Sequence, residues 1–338
     1  MLQTSVRRIL IAAGMISFAA ACSSNSYTPG QPASVTPSTQ RIPQGMRMLP
    51  GPAVAGPRIV SAVPRTPNAP AGWPAPKKKK KELLFVADGS SGVLIYNPKA
   101  ANSGPIGSIT NGVSAPAGVA VDKQGDVYVT NEGTNTVTVY APGVSTPMLT
   151  ISSGISGPYG IGVDSQGNVF VSNLNTNDIT AYAAGQTSPY ESINFNAYGQ
   201  AVGIGIDASD NVWVACDTSN GVFEIPAGSS GVQNSGLTGL AGPISVAFGK
   251  KDITYVSNFS ASDVNIYPYG STSPSGTITD GIERYGPTLG GFTAKSAYFQ
   301  SNQGDNVVGY KKGKTSPFST LTGASSPLGI ASSPLVKK

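Results

Sequence analysis

The chain has 338 residues, of which 39% are apolar and only 12% are charged, and it is rich in Gly (42) and Pro (27). This length is enough for a substantial core, and the composition favours short strands with frequent turns over long helices. Histidine is absent from the sequence. Its absence excludes Ser-His-Asp and Cys-His catalytic sites and His-ligated zinc or iron.

Charge is distributed unevenly along the chain. Residues 1–81 contain 11 Lys or Arg and no acidic residue, whereas residues 82–338 contain the other 11 and all 17 acidic residues, a net charge of −6. The pI of about 9.1 therefore reflects a basic leader joined to a mildly acidic body. We expect no nucleic-acid partner, because the body lacks the basic stripe that phosphate contacts require.

The chain begins with a predicted secretory signal peptide at residues 1–21. Arg7 and Arg8 precede an apolar run that is too short for a membrane span. The following Ala19-Ala20-Ala21-Cys22 resembles the lipobox of bacterial lipoproteins, in which cleavage precedes a cysteine that is then acylated. The resemblance implies lipidation of Cys22 and a membrane anchor. An ordinary cleaved signal with an incidental cysteine is the alternative.

The residue after Cys22 bears on localisation within the cell envelope. In lipoprotein families, Asp at this second position suggests retention in the inner membrane, and this chain has Ser23 there. The resemblance therefore favours the outer membrane, on its periplasmic face, or the cell surface.

Residues 22–81 are predicted to form a lipidated, disordered tether. They are dense in Pro, Ser, Thr, Gly and Ala without apolar periodicity, so they cannot bury enough surface to offset the loss of conformational entropy. Five lysines at 77–81 can contact anionic lipid head groups or lipopolysaccharide. A solvated spacer is the interpretation that we favour for this lysine run.

The body repeats one motif. Residues 118–131 read GVAVDKQGDVYVTN and residues 160–173 read GIGVDSQGNVFVSN, and similar segments recur at spacings of 43, 42, 43, 42 and 44 residues. The last residues of these segments are Asp88, Asn131, Asn173, Cys216, Asn258 and Asn302. A second mark follows eight or nine residues later, at Tyr96, Tyr140, Tyr182, Ile225, Tyr267 and Tyr310. Six units of nearly constant length indicate a repeat protein.

Each unit has the pattern of four short β-strands. Apolar or alternating stretches are joined by turns such as DKQGDV, and four strands in about 42 residues match one blade of a β-propeller. The first unit lacks its initial segment, whereas SPLGIASS near the C-terminus supplies that segment without a following blade. Residues 82–338 are therefore predicted to form an all-β, six-bladed propeller of four-stranded blades, closed by the C-terminal strand completing the first blade.

The repeated Pro-x-Gly-Val-Ala-Val-Asp, Gly-Asp/Asn-Val-Tyr-Val and Asn pattern resembles NHL-repeat propellers over about residues 82–335. It resembles streptogramin lyases and gluconolactonase-type propellers more loosely. The NHL resemblance implies a binding or interaction scaffold for a protein, glycan or small ligand. Because streptogramin lyases depend on active-site histidine, their activity is not expected here. The alternative function is a divalent-metal-dependent lactonase or lyase with its site in the central channel.

The metal-dependent alternative needs oxygen ligands for Ca²⁺ or another divalent cation; no other cofactor is expected. The candidate ligands, which are also the candidate ligand-binding residues, are Asp88, Asn131, Asn173, Cys216, Asn258 and Asn302, predicted to gather at one end of the channel with Glu132 and Asp217 nearby. The innermost strands, however, contribute no acid where gluconolactonase-type propellers take a ligand. Asn or Asp after a strand also commonly forms a turn with its own backbone.

Two further sets of residues follow from the repeat. One residue per blade, just before each innermost strand, is predicted to line the channel mouth and form a mostly apolar cup. These residues are Ala117, Tyr159, Val202, Ile244, Thr288 and Leu328, of which Tyr159 is also a candidate ligand-binding residue. Such a cup suits a small ligand or peptide, although packing between blades explains it as well. Asp122, Asp164 and Asp207 are predicted to form turns at the opposite end. For Cys216, we favour a packed, inert thiol over a nucleophile.

Overall fold

A computed structural model of the chain describes residues 82–250, 253–283, 287–292, 297–303 and 305–333. These residues form six antiparallel sheets of four strands each, which confirms the predicted six-bladed β-propeller. The signal peptide at 1–21, the lipidation site Cys22 and the tether at 22–81 lie outside the described residues and stay predictions. Within the described part of the chain, there is no helix with the length and hydropathy needed to cross a membrane.

The two inner strands of each blade carry the repeated motif. The innermost strands, which contact one another around the axis, are β4 (Pro116–Val121), β8 (Pro158–Val163), β12 (Ala201–Ile206), β16 (Pro243–Phe248), β20 (Pro287–Phe292) and β24 (Pro327–Ser332). The second strands are β1 (Leu84–Asp88), β5 (Val127–Asn131), β9 (Val169–Asn173), β13 (Val212–Cys216), β17 (Thr254–Asn258) and β21 (Tyr298–Asn302).

The two outer strands complete each sheet. The third strands are β2 (Gly92–Tyr96), β6 (Thr136–Tyr140), β10 (Asp178–Tyr182), β14 (Gly221–Ile225), β18 (Asp263–Tyr267) and β22 (Asn306–Tyr310). The outermost strands are β3 (Gly107–Ile109), β7 (Leu149–Ile151), β11 (Glu191–Asn194), β15 (Gln233–Asn234), β19 (Gly276–Ile278) and β23 (Pro317–Leu321). A short 3-10 turn, η1 (Glu132–Thr134), follows β5.

The antiparallel order defines two ends of the propeller. We call the end where the second strands finish the upper face; it also carries the loops that enter the innermost strands. The end with the hairpins between the first two strands of each blade is the lower face. At the lower face, the Asp164 carboxylate accepts the backbone N–H groups of Gln166 and Asn168 at 2.8 and 2.9 Å. Asp122 and Asp207 accept equivalent bonds, which confirms all three as turn formers.

The ring is closed as predicted, by pairing of β24 with β1 in the first blade. Asp88, at the upper end of β1, is fully buried and reinforces this closure. One carboxylate oxygen accepts the N–H groups of Ser90 and Ser91 at 3.0 and 2.9 Å. The other accepts those of Ser325 and Ser326, just before β24, at 2.6 and 3.0 Å. One side chain thereby joins the start of the propeller to its last strand.

The tyrosines that end the third strands tie neighbouring blades together. The Tyr140 hydroxyl donates to the carbonyl of Asn111 at 2.8 Å, in the loop that arrives from the preceding blade, and the Tyr182 hydroxyl donates to Ser153 at 2.7 Å. The same bond recurs for Tyr96, Tyr267 and Tyr310. All five side chains are buried, so five of the six blade connections are fixed by a hydrogen bond that is partly shielded from water.

The inner strands pack so closely that glycine is required at their third residue in several blades. A Cβ on Gly118 would lie 2.3 Å from the carbonyl oxygen of Tyr159 in the next blade, and one on Gly203 would lie 2.3 Å from that of Ile244. The Thr130 hydroxyl bridges the same boundary, because it donates to the Tyr159 carbonyl at 2.9 Å and accepts the Gly118 N–H at 2.6 Å. Side-chain hydroxyls and glycine together set the spacing between blades.

Removal of the Asp88 carboxylate tests the closure. Asp88→Ala leaves four backbone N–H groups without their acceptor, and we expect a loss of about 2–4 kcal/mol in the free energy of unfolding. The measurement is guanidinium-induced unfolding followed by circular dichroism. Asp280→Ala removes an exposed carboxylate from the same face and should change stability by less than about 0.5 kcal/mol. Equal effects of the two substitutions would contradict the assigned role.

Candidate functional site

The six predicted ring residues all lie at the upper end of the second strands, one strand away from the channel, and all are fully buried. The Asn side chains act within their own blades. Asn131 accepts the Ser114 N–H at 3.1 Å and donates to the Thr138 hydroxyl at 3.0 Å. It therefore fastens the loop before the innermost strand to the third strand.

The same clamp recurs in other blades. Asn173 accepts the Ser156 N–H at 3.0 Å, and Asn258 accepts the Ala241 N–H at 3.1 Å. Asn302 donates to the Gly281 carbonyl at 2.8 Å. These side chains form local hydrogen bonds to nearby backbone groups, which was the structural alternative to ligand binding. A contact between the ring residues and a ligand stays a prediction.

The donor set of the ring does not fit a divalent cation. Both carboxylate oxygens of Asp88 accept two N–H groups each, and the amide oxygens of Asn131, Asn173 and Asn258 face loop N–H groups. A cation would have to displace buried hydrogen bonds to reach these oxygens. Across the described residues, no three His, Cys, Asp or Glu side chains gather into a group suited to a metal ion.

Cys216 occupies the ring position of the fourth blade and is completely buried. It packs in an apolar cluster with Phe195, Phe223 and Ile225. Burial, followed by the nearby Asp217 carboxylate, raises the pKa of its thiol above the ordinary value. The geometry is that of a packed, unreactive cysteine. Because Ile225 replaces the tyrosine of the other blades, the polar clamp and the tyrosine bond are both exchanged here for apolar packing.

An apolar plug closes the upper end of the central channel. It contains side chains from all six blades, and its members are Ala117, Tyr159, Val202, Ile244, Leu289 and Leu328, with Leu174 and Phe259 packed against them. The predicted cup is therefore filled. In the sixth blade, the expectation for Thr288 was wrong: Leu289 enters the plug, while the Thr288 hydroxyl lies 3.2 Å from the Leu328 carbonyl. A hydroxyl gains a hydrogen bond there that the apolar plug does not offer.

Directly below the plug, the axis encloses a cavity of about 40 Å³ lined by aliphatic side chains and glycines such as Gly118, Gly290 and Gly329. Small-molecule sites typically measure about 300–1,000 Å³, so this cavity holds a few water molecules at most. Recognition of anything larger therefore takes place outside this cavity.

The residue after each ring position forms the rim above the plug. These residues are Gly89, Glu132, Leu174, Asp217, Phe259 and Gln303. Leu174 and Phe259 are partly exposed over the plug, and Glu132 is exposed. The surface at the axis thus combines an apolar floor with two acidic side chains, and we call it the mouth basin.

Three ionisable groups come together in the mouth basin. Glu132, Tyr159 and Asp217 belong to the second, third and fourth blades, and burial together with the two carboxylates raises the pKa of Tyr159. Burial also raises the pKa of Asp217. Partial desolvation of its carboxyl raises the pKa of Glu132 in the same direction, although much of the Glu132 side chain is exposed. One carboxylate oxygen of Asp217 is buried without a hydrogen-bond partner among the described residues. Perturbed carboxyl groups in a concave surface are typical of functional sites.

The lysines among the described residues are confined to one end of the propeller, where they lie among the acidic residues Glu82, Asp122, Asp126, Asp164, Asp207 and Asp210. All described lysines lie on the lower face, in the hairpins and turns at Lys99, Lys123, Lys250, Lys311, Lys312 and Lys314. The upper face carries Asp88, Glu132, Asp178, Asp217, Asp263, Asp280, Glu283 and Asp305. Arg284, which the sequence assigns to an upper loop, lies outside the described residues. The upper face of the described structure is therefore acidic, which favours cationic partners.

Sequence analysis missed the residues that join the blades at the upper face. Asn135, Asn177 and Asn220 adopt positive φ angles of 52°, 50° and 51° in the turns between second and third strands. Asn135 accepts the Gly157 N–H of the next blade at 2.7 Å, and Asn220 accepts that of Gly242 at 2.6 Å. The sequence signal was present, because Asn recurs four residues after the ring position in four blades, including these three.

Comparison with known proteins agrees with this geometry. The NHL repeat family model matches residues 114–140, which cover the innermost strand of the second blade, its hairpin, the clamp Asn131 and the end of the third strand. The chain contains an NHL repeat. No curated protein sequence matches the chain significantly, so the fold comparison rests on solved structures.

Solved structures similar to this propeller include binding proteins and enzymes. One chain of a nidogen/laminin complex is 13% identical, with a TM-score of 0.61 over 75% of this chain and 98% of that chain. A streptogramin B lyase is 14% identical, with a TM-score of 0.54 over 78% and 93%. Virginiamycin B lyase from Staphylococcus aureus is 13% identical, with a TM-score of 0.50 over 78% and 88%. At these identities the similarity shows the fold alone.

The buried carboxyl of Asp217 should lower the stability of the propeller at neutral pH. Its pKa is raised in the folded state, so folding favours the protonated form and stability falls as pH rises from the unfolded-state pKa to the folded-state pKa. We expect Asp217→Asn to increase the free energy of unfolding at pH 7, and the increase to shrink as pH falls from the folded-state pKa to the unfolded-state pKa.

The measurement is denaturant unfolding of wild type and Asp217→Asn at several pH values. The exposed Asp280→Asn, on the same face, controls for loss of one negative charge. A less stable Asp217→Asn variant at pH 7 would show that the ionised carboxylate makes favourable interactions in the folded protein.

Proposed function

We propose that the propeller is a protein-binding module and that its partner binds at the upper face, over the mouth basin. The observation that carries this proposal is the combination of a closed channel with a rim in which acidic Glu132 and Asp217 alternate with partly exposed Leu174 and Phe259. A small cavity of about 40 Å³ leaves the face itself as the recognition surface. An apolar centre surrounded by polar groups is the usual arrangement of a protein interface.

The comparisons support a binding role for this fold. The NHL propellers that this chain resembles are interaction modules in many cases, and one similar structure is a nidogen/laminin complex. The similarity to lyases does not favour an enzyme, because the sequence lacks histidine and because the ring oxygens do not fit a metal ion. A glycan or a small ligand remains the other class of partner for the same face.

Photocrosslinking tests the binding face. We expect p-benzoylphenylalanine at Phe259, on the upper face, to give a discrete crosslinked protein in cells that naturally produce this chain. The control position is Tyr269, which is 78% exposed at the opposite end of the same blade. Crosslinks from Tyr269 alone, or from neither position, would contradict the proposed binding face.

We further propose that the propeller is lipid-anchored through Cys22 in the cell envelope and held away from the membrane by residues 22–81. The described structure supports this arrangement at one point, because β1 begins at the lower face, where Leu83 exchanges 2.8 Å hydrogen bonds with Ser333. A tether that joins the propeller there leaves the upper face unobstructed by its attachment point.

Lipidation at Cys22 is tested by metabolic labelling. We expect the wild-type chain to incorporate radiolabelled palmitate and to partition into the detergent phase of Triton X-114, and Cys22→Ser to lose both properties. Cys216→Ser, which alters the other cysteine of the chain, should keep both. A wild-type chain that is unlabelled and enters the aqueous phase would contradict the anchor.

A further inference from the structure

We propose that the mouth basin binds a protonated primary amine, supplied by a lysine side chain of the partner. The inference rests on the proposed function and assigns the chemistry of its central contact. Glu132, Tyr159 and Asp217 would surround the ammonium group, while Leu174 and Phe259 would contact its aliphatic stem.

The first argument is the arrangement of the three polar groups. Glu132 follows β5, Tyr159 lies in β8, and Asp217 follows β13, so they come from three successive blades around the axis. The two carboxylates act electrostatically on the tyrosine hydroxyl from either side. The two carboxylates thus create a negative electrostatic potential around the Tyr159 hydroxyl.

The second argument is unused hydrogen-bonding capacity. The Tyr159 side chain is only 5% exposed, and no partner for its hydroxyl is found among the described residues. The five tyrosines that end third strands all donate to a backbone carbonyl. One oxygen of Asp217 is likewise buried without a partner. Buried polar atoms are normally paired, so the Asp217 oxygen indicates that a ligand completes the site, and the Tyr159 hydroxyl offers that ligand a second polar contact.

The third argument is the match to an ammonium group. A lysine ammonium has three hydrogen-bond donors, no acceptor and a compact positive charge. Two carboxylates and a phenol oxygen from three different blades supply three separate acceptors, in contrast to the planar pair that an arginine fork prefers. The long methylene stem of lysine packs on apolar surface while its head is bound, and Leu174 and Phe259 provide that surface beside the acidic groups.

The fourth argument is the unfavourable energy of two carboxylates that, within the part of the chain that the structure describes, have no cationic neighbour in the free protein. Burial raises the pKa of both carboxyl groups, and no lysine among the described residues lies on this face to neutralise them. An incoming ammonium would restore the interactions that the carboxylates lack in the free protein. Binding a cation relieves this unfavourable energy, and the relief contributes to the binding affinity.

The test uses the full-length protein and a fluorescein-labelled hexalysine peptide, with binding followed by fluorescence anisotropy at low and physiological salt. We expect Glu132→Gln and Asp217→Asn each to weaken binding on the order of fivefold to tenfold, and Tyr159→Phe about threefold. Asp280→Asn, which removes one exposed carboxylate of the same face, should change the affinity less than about twofold. The same peptide with acetylated lysines should not bind.

Two results would overturn the inference. An equal loss in Asp280→Asn and Glu132→Gln would show attraction to the acidic face in general, and unchanged binding in all variants would place hexalysine elsewhere. Asp217→Asn is expected to be folded and more stable, so loss of binding in that variant cannot be attributed to unfolding.

The outcome is distinguishable from failure of the proposed function. If the Phe259 position crosslinks a protein but hexalysine does not bind the basin, the binding face stands and the lysine contact is wrong. If hexalysine binding depends on Glu132 and Asp217 while no protein crosslinks at Phe259, the amine site stands and the protein-binding proposal is wrong.

Discussion

The structure depends on closure of a ring of six sheets. A four-stranded blade exposes an innermost strand edge and two faces, and only contact with both neighbouring blades buries them. The chain satisfies this requirement by supplying β24 from its C-terminal part to the blade that starts with β1. The Asp88 carboxylate, with its four N–H donors, fixes that junction. Closure of the ring creates the central axis, and the residues of the upper face are arranged around that axis.

Polar side chains on the upper face divide between two tasks. Hydrogen bonds to the loops occupy the side chains of Asn131, Asn173 and Asn258. Their repetition therefore reflects a structural role. The next residue along the chain differs from blade to blade, and it is this residue that reaches the rim. The rim positions of the second and fourth blades carry Glu132 and Asp217, and both carboxylates act electrostatically on Tyr159 of the blade between them. Binding chemistry therefore resides in the variable residue beside a repeated structural one.

The sequence predicted the fold well because the repeat encodes it directly. The 42–44 residue spacing and the displaced terminal strand were sufficient for blade number and closure, and the hairpin role of Asp122, Asp164 and Asp207 follows from local turn chemistry. The site was harder to predict. The direction of the Asn131 side chain depends on a loop 17 residues earlier, and the convergence of Glu132 with Asp217 depends on how the blades pack.

The sixth blade shows a further limit of reading repeats position by position. Thr288 aligns with Ala117 and Tyr159, yet its hydroxyl bonds to a backbone carbonyl and Leu289 fills the plug instead. In the fourth blade, Cys216 and Ile225 change together with the packing of Phe195. In both blades, the substituted residue was visible in the sequence, whereas the neighbour that compensated for it came from outside the aligned motif.

The entry of the chain into β1 has a mechanical consequence. β1 is the second strand of its blade and is paired along its length with β24 on one side and β2 on the other. A force transmitted from the preceding residues and directed along β1 therefore acts parallel to the strand and shears two hydrogen-bond ladders together. An edge strand peeled away from its sheet would instead lose its hydrogen bonds one at a time. The propeller is consequently attached through a strand whose position resists extraction under tension.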